Sequence, residues 1–251
     1  MSAGGPAAAH PDHDLRFSLE HWRLWHSATV TSHQTWPGGE VLPHVAGGAD
    51  VQFIPMLQRR RMSPLARAAC AVAWQCREKA GDLPAVYCSL HGESQDYFGL
   101  LEELSRNQPL SPSRFSLCVH NAIAGLFSIQ SRCTLPYVAL AGGSDGLFAA
   151  FLEAAGLLLE TPRVLLVCYE QPLPQAYQAY LTTSDTTWAL AMVLSRPTAG
   201  KRQLCLSRDL FDPPSFGREP SSDLIQAILT DSHRGYTQLE RATWHWSLQN
   251  V

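Results

Sequence analysis

The stretch from Val138 to Ala154, VALAGGSDGLFAAFLEA, constrains the fold more than any other part of the sequence. A short apolar run is followed by a glycine-rich turn and then by a long apolar segment. The short run is typical of a buried strand and the long one of a helix. The turn also fits the pattern G-x-S-x-G at Gly142, Ser144 and Gly146, which in some enzymes lifts a nucleophilic serine onto a sharp strand-to-helix bend.

Strands and helices are predicted to alternate along most of the chain. Apolar strands that alternate with helices are typical of an α/β fold, with a mixed, mostly parallel sheet covered by helices on both faces. The first long helix is expected to be capped by Ser63, to begin at Pro64 and to end at Gly81. The other expected helices are 96–106, 122–130, 147–159 and 222–230, and the expected strands are 17–27, 85–90, 164–168, 188–194, one starting near 137, and a final one at 202–207.

Length and composition favour one domain. A chain of 251 residues with 45% hydrophobic residues can bury one substantial core, so we expect a disordered lead at 1–14 and a single domain at 15–251. The formal charge of −3 and the 16% of charged residues do not favour binding to nucleic acid or to an anionic membrane. The start of the chain has no basic, apolar leader, and the apolar run 147–159 is too short to span a bilayer, so a cytoplasmic protein is expected.

The cysteines and histidines do not form metal or cofactor motifs. Seven cysteines without a C-x-x-C pair predict reduced thiols. The ten histidines include no H-E-x-x-H pattern, and we expect neither a metal nor a cofactor. The run Arg59–Arg60–Arg61 is interpreted as a solvated surface, with a phosphate or an acidic carrier protein as the functional alternative.

A serine hydrolase is one hypothesis for the elbow. A nucleophilic Ser144 would need a histidine as base and an acid to orient that histidine. The sequence after the turn offers His233 and His245 as bases and Asp209, Asp212 and Asp231 as acids.

The pair His120–Asn121 is a second candidate site. Two polar side chains at the start of the apolar segment AIAGLFSI either cap a helix or line a cavity. Capping alone would explain Asn121, but it would not require His120. A decarboxylating or acyl-transferring site that uses both residues without a covalent step is a third hypothesis.

The order of segments around these residues resembles a known family. SPSRFSLCVHNAIAGLFSIQSRCTLPYVALAGGSDGLFAAFLEA is similar to the central part of the N-terminal half of β-ketoacyl-acyl-carrier-protein synthases, which have the thiolase-like fold. RRRMSPLARAACAVAWQCREKAG resembles the first long helix of that half, and RVLLVCYEQPLP and TTWALAMVLSR resemble its next two strands. The likeness spans roughly residues 55–197. It is closest to a short subgroup with only the N-terminal domain, found with aryl-polyene and xanthomonadin-type pigment pathways.

The resemblance implies a lost catalytic residue. The family's cysteine lies three residues before the elbow glycine Gly146, which places Gly143 at the nucleophile position. Ser144 is one residue past that position, so we expect its hydroxyl to make a cap or a loop hydrogen bond. The two histidines that assist the family's chemistry belong to a second half that this chain does not contain, and His120 matches neither of them.

The resemblance also implies partners. We expect a non-catalytic or auxiliary partner of a full-length synthase in a type II fatty-acid or polyketide pathway, working with acyl carrier protein. Full-length condensing enzymes dimerise through this half, so a homodimer or a heterodimer is expected. The residues expected to shape the elbow or an acyl pocket are Gly143, Ser144, Asp145, Gly146, His120 and Asn121.

Overall fold

The structure is a computed structural model that describes residues 15–28, 35–180, 185–209, 222–239 and 242–250. The expected disordered lead at 1–14 lies outside these residues. No helix among the described residues has the length and apolar character needed to cross a membrane. The strands are β1 (Leu15–His26), β2 (Gly39–Val41), β3 (Ala85–Cys88), β4 (Tyr137–Leu140), β5 (Arg163–Glu170), β6 (Trp188–Ser195), β7 (Gln203–Asp209), β8 (Arg234–Gln238) and β9 (Thr243–Gln249).

The helices lie mainly between the strands of the first half. They are α1 (Met56–Arg59), α2 (Pro64–Ala80), α3 (Ser94–Ser105), α4 (Pro112–Leu117), α5 (Ala122–Ser131), α6 (Phe148–Glu160), α7 (Gln175–Gln178) and α8 (Ser222–Leu229). A single 3-10 turn, Gly143–Asp145, connects β4 to α6.

All nine strands form one mixed sheet. The strand order is β4-β3-β5-β6-β1-β7-β9-β8, and β2 pairs with β1 beside this path. Strand β3 runs parallel to β4 and β5, whereas every pair from β5 to β8 along the order is antiparallel.

The predicted α/β class is confirmed, but the expected predominance of parallel pairs is wrong. Parallel neighbours need long crossovers, which helices α3 to α6 supply only for β3, β4 and β5. Strands β8 and β9 are separated by a short connection, so they pair as a hairpin.

Helices cover the sheet from both sides. Helix α2 packs against β5, β6 and β1 on one face, and α6 packs against β3 and β5 on the other. Strands β5 and β6 lie between these layers, and their continuous apolar sequences VLLVCY and WALAMVL are buried on both faces.

The predicted start and end of helix α2 are confirmed. The Ser63 hydroxyl accepts a hydrogen bond from the Ala66 amide at 2.9 Å, and Pro64 occupies the first turn. Gly81 ends the helix with φ +79°, a conformation that favours glycine.

Two parts of the fold differ from the sequence prediction. Residues 112–117 form helix α4, with Ser111 as its N-cap and Pro112 at its first turn, where no helix was predicted. The strand 202–207, expected to be the last, is followed by β8 and β9. Helix α4 was missed although Ser111 and Pro112 are local signals for a helix start. Strands β8 and β9 were missed because they follow a segment of mixed turn residues that gives no periodic signal.

Candidate functional site: the elbow after strand β4

The elbow, defined here as Gly142–Gly146, lies at the carboxyl ends of the parallel strands. Strands β3, β4 and β5 point in the same direction, so Cys88, Leu140 and Glu170 end at one edge of the sheet. In open α/β sheets, ligands bind outside this edge. The predicted strand, sharp turn and helix of the opening motif are therefore confirmed.

The glycines of the elbow are required for different reasons. A Cβ added to Gly142 would lie 2.1 Å from the Gly146 carbonyl oxygen, so no other residue fits there without moving the turn. Gly143 and Gly146 both have φ +55°. Gly143 is exposed, and a Cβ built on it would have no atom within 4 Å. The turn therefore presents residue 143 to open space.

Ser144 belongs to the same 3-10 turn, between Gly143 and Asp145. Its side chain lies outside the part of the chain that the structure describes. The expectation that its hydroxyl makes a cap or loop hydrogen bond stays a prediction.

Asp145 ties the elbow to the C-terminal strands. Its carboxylate accepts hydrogen bonds from the Arg208 guanidinium of β7, at 3.0 and 3.1 Å, and from the Trp244 indole of β9, at 3.0 Å. The Arg208 guanidinium lies over the Trp244 ring, and that ring stacks on Phe148 at 5.1 Å. We call Asp145, Arg208 and Trp244 the clamp.

The clamp fixes the shape of the turn from the side of the sheet that faces α6. The hydrogen bonds between Asp145 and Arg208 are charge-assisted and therefore stronger than neutral ones, and Trp244 adds a further donor. The side chains of Asp145 and Arg208 are only partly exposed. The sequence analysis placed Asp145 at the elbow but did not find its partners, since residues 63 and 99 positions apart in sequence carry no local signal. Only the alternating pattern of TWHWSLQ could have indicated that Trp244 faces the core.

His120 and Asn121 have different surroundings in the structure. The His120 Nε2 atom is 2.9 Å from the Leu140 carbonyl oxygen, so this nitrogen carries a proton and donates it to the end of β4. The other ring nitrogen faces Gly92, where an added Cβ would approach it to 3.1 Å. His120 thus holds the loop after β3 against the end of β4.

Asn121 occupies the N-cap position of α5. Its side chain makes no capping hydrogen bond, because its backbone is not in the extended conformation that capping requires. The side chain is exposed.

Two buried thiols lie next to the elbow. The Cys88 thiol contacts the Gly146 carbonyl oxygen at 3.8 Å, and Cys168 is its register partner on β5. The neighbouring Cys88 thiol and burial raise the pKa of Cys168 well above its usual value. A buried, protonated thiol is a poor nucleophile. All seven cysteines are free, as predicted.

Glu93 is a buried acid near this edge. Its Oε1 atom accepts a hydrogen bond from the Ser63 hydroxyl at 2.7 Å, and burial raises the pKa of its carboxyl to about 7. The sequence analysis did not single out this residue, since a lone glutamate before a helix is usually solvated.

The residues proposed for a hydrolase triad lie elsewhere. His245 pairs with Asp209 at 3.1 Å, and His233 pairs with Asp231 at 2.9 Å. His245 alternates with Trp244 along β9, so its ring lies on the face of the sheet opposite to the clamp. Neither pair contacts the elbow, and Asp212 lies outside the described residues.

Metal ligands do not gather around the elbow. No group of three histidine, cysteine or acidic side chains in the described ranges has the geometry to hold a metal ion.

Together, the three parallel strands, the elbow and the helices on both faces define an α/β protein with a sharp strand-to-helix turn at the carboxyl edge of its sheet. The sequence profile of the family "Beta-ketoacyl synthase, N-terminal domain" matches residues 22–247. The chain therefore belongs to the β-ketoacyl synthase N-terminal domain family. No sequence of a curated protein matches it.

Solved structures share the fold at low sequence identity. A chain of the ketosynthase ApeO in complex with its chain length factor ApeC from Xenorhabdus doucetiae matches with TM-score 0.73 and 21% identity, over 93% of this chain and 99% of that chain. A chain of AntDE:AntF, a type II PKS acyl-carrier protein in complex with its ketosynthase, matches with TM-score 0.61 and 8% identity, over 94% and 99%. A β-ketoacyl synthase from Burkholderia phymatum matches with TM-score 0.52 and 13% identity, over 74% and 57%.

Proposed function

We propose that this protein is a non-catalytic, auxiliary subunit of a type II β-ketoacyl synthase, similar in role to a chain length factor. The observation that carries the proposal is Gly143, which stands at the exposed position of the elbow and has no side chain to act as a nucleophile. The acyl transfer of a condensing enzyme of this kind depends on a covalent step at that position. The chemistry is therefore assigned to a full-length partner.

A structure of similar length supports this role. The match to the ApeO and ApeC complex covers 99% of the compared chain, so a protein chain of this size occurs in a ketosynthase and chain length factor complex. The proposed pathway is a type II fatty-acid or polyketide pathway of the aryl-polyene kind. The proposed compartment is the cytoplasm, which seven free cysteines favour.

The proposed partner surface is the β4 face, defined as strand β4 with the exposed apolar side chains beside it. Strand β4 is an outer strand of the sheet, and its sequence YVAL contains no charge or proline that would discourage pairing. Ile129 of α5 is 68% exposed and Phe115 of α4 is 58% exposed. An apolar face next to an open strand edge favours a partner that adds a strand and covers the helices.

Acyl carrier protein is the second proposed partner. Arg59, Arg60 and Arg61 precede α2, and no described carboxylate lies within ion-pair distance of them. Met56 and Leu57 are exposed beside them. A cationic surface with apolar neighbours is complementary to an acidic carrier protein.

Co-expression with the cognate full-length synthase tests the role. We expect the two chains to co-purify as a stable complex, because the β4 face buries apolar area on both sides. Repeated failure to co-purify, with both chains folded, would count against the proposal.

A serine thioesterase or esterase that uses Ser144 is the competing function. A fluorophosphonate reagent separates the two, because labelling that is lost in Ser144→Ala would support the hydrolase. The proposed auxiliary role predicts no labelling of Ser144.

A further inference from the structure

A polar groove lies on the face of the sheet opposite to the clamp. It runs over strands β1, β7 and β9, and its volume is about 270 Å³. This is close to the lower end of the range for small-molecule sites in proteins, about 300 Å³. Apart from Leu206 and Trp246, whose side chains belong to the core on the other face, the lining consists of Arg16, Cys205, Ser207, His245, Ser247 and Gln249.

The strand register explains why these side chains meet. Arg16 of β1 pairs with Cys205 of β7, and Cys205 pairs in turn with Ser247 of β9. One step along the same strands, Ser207 pairs with His245. Directly paired residues point to the same face of a sheet, and neighbouring strands are about 4.8 Å apart. The floor of the groove therefore carries hydroxyl, thiol and imidazole groups, with a guanidinium at one side.

The groove is accessible. Arg16 and Gln249 are exposed, and Ser207, His245 and Ser247 are half-buried. Half-buried side chains on a strand are held in place by their neighbours but can still touch a ligand. The groove thus combines a rigid floor with an open side.

The charge of the groove favours an anion. The Arg16 guanidinium carries five N–H donors in one plane, a geometry that suits the oxygens of a phosphate group. No described residue that lines the groove has a carboxylate. Asp209, two residues further along β7, accepts a hydrogen bond from the His245 imidazole at 3.1 Å and does not line the groove.

We propose that this groove binds a small phosphate monoester. The Arg16 guanidinium pairs with the phosphate oxygens, and the hydroxyls of Ser207 and Ser247 donate to them. A phosphate monoester carries a charge of about −1.5 to −2 near pH 7 and has three strong acceptor oxygens, so it matches a cation beside several hydroxyl donors. The remaining volume holds a short polar body, which the Gln249 amide can contact. The site is separate from the elbow and does not depend on the proposed subunit role.

Glycerol 3-phosphate is a suitable probe, since it joins a phosphate monoester to a short polar body. Its titration into the full chain is measured by calorimetry, and the backbone amide resonances of Ser207 and Ser247 locate the site. We expect saturable binding with shifts at these two strands. Glycerate, a carboxylate of similar size, should bind at least about tenfold more weakly, because it has less charge and fewer acceptor oxygens. Equal binding of glycerate would contradict a phosphate site.

Three variants and a matched control make the test specific. Arg16→Gln should weaken binding at least about tenfold, because it removes the charge-assisted hydrogen bonds. Ser207→Ala removes one hydroxyl donor without adding bulk and should weaken binding about threefold to tenfold. Ser247→Leu covers the floor with an apolar side chain and should abolish binding.

Arg234→Gln is the control. Arg234 of β8 is exposed and is the register partner of Ser247, so it lies on the same face, but it does not line the groove. Its replacement should change the affinity by less than about twofold, and urea unfolding checks that every variant is folded. Absence of saturable binding by the wild type, or equal weakening by Arg16→Gln and Arg234→Gln, would overturn the proposal.

Discussion

At the scale of single residues, the two adjacent glycines of the elbow make different demands on the chain. Gly142→Ala places a Cβ 2.1 Å from the Gly146 carbonyl oxygen, and we expect a loss of about 3 kcal/mol in the free energy of unfolding. Gly143→Ala meets open space and should lose only about 1 kcal/mol, the cost of a side chain at φ +55°. Urea unfolding measures both values. Equal losses would mean that the turn does not have this geometry.

Glu93 gives a second prediction at the same scale. Its pKa is raised to about 7, so the folded state binds the proton more tightly than the unfolded state does. The contribution of Glu93 to the free energy of unfolding is therefore fully present below the pKa of this group in the unfolded state. It is lost as the pH rises towards 7. Between pH 5 and pH 8 the wild type should lose up to about 3 kcal/mol relative to Glu93→Gln. If the free energies of unfolding of the wild type and of this variant depended on pH in the same way, the raised pKa of Glu93 would be contradicted.

At the scale of the elements, the clamp joins the turn before α6 to strands β7 and β9. A double-mutant cycle with Asp145→Asn and Arg208→Gln should give a coupling energy of about 1–2 kcal/mol, since the pair is partly buried and charge-assisted. The exposed pair of Glu102 in α3 and Arg106, the residue that ends this helix, is the matched control and should give about 0.5 kcal/mol or less. A clamp cycle no larger than the control would show that β7 and β9 do not hold the elbow.

The elements also show what the sequence can predict. Helix α2 follows from Ser63, Pro64 and Gly81, because each acts through its own backbone and immediate neighbours. The elbow could be predicted because the spacing of its glycines fits one local turn. Helix α4 carries equally local signals in Ser111 and Pro112, which the apolar run around Phe115 concealed.

Long-range contacts set the limit of such prediction. The clamp joins residues that are far apart in the sequence, and no local pattern specifies which strands become neighbours. The parallel half of the sheet was predicted because helices separate its strands. The antiparallel half was not, because β8 and β9 follow a segment of mixed turn residues that gives no periodic signal.

At the scale of the whole molecule, the β4 face should govern partner binding without affecting the fold. Ile129→Lys should weaken binding of the cognate synthase at least tenfold, because it places a charge in the apolar contact. Its own free energy of unfolding should change by no more than about 0.5 kcal/mol, as at other exposed positions. Leu159→Lys is the control, since Leu159 is 82% exposed on α6, which packs on the face of the sheet opposite to α2 and α5. Equal weakening by both variants, measured by titration calorimetry, would argue against the β4 face.

The central claim is that the chain has no nucleophile of its own and works through a full-length synthase. The most direct test incubates the purified chain with acyl-carrier and malonyl-carrier protein, alone and with the cognate synthase, after mass spectrometry has excluded other synthases. The account predicts neither a condensed product nor an acyl adduct on the chain alone, and a product once the synthase is added. A condensed product from the chain alone would contradict it.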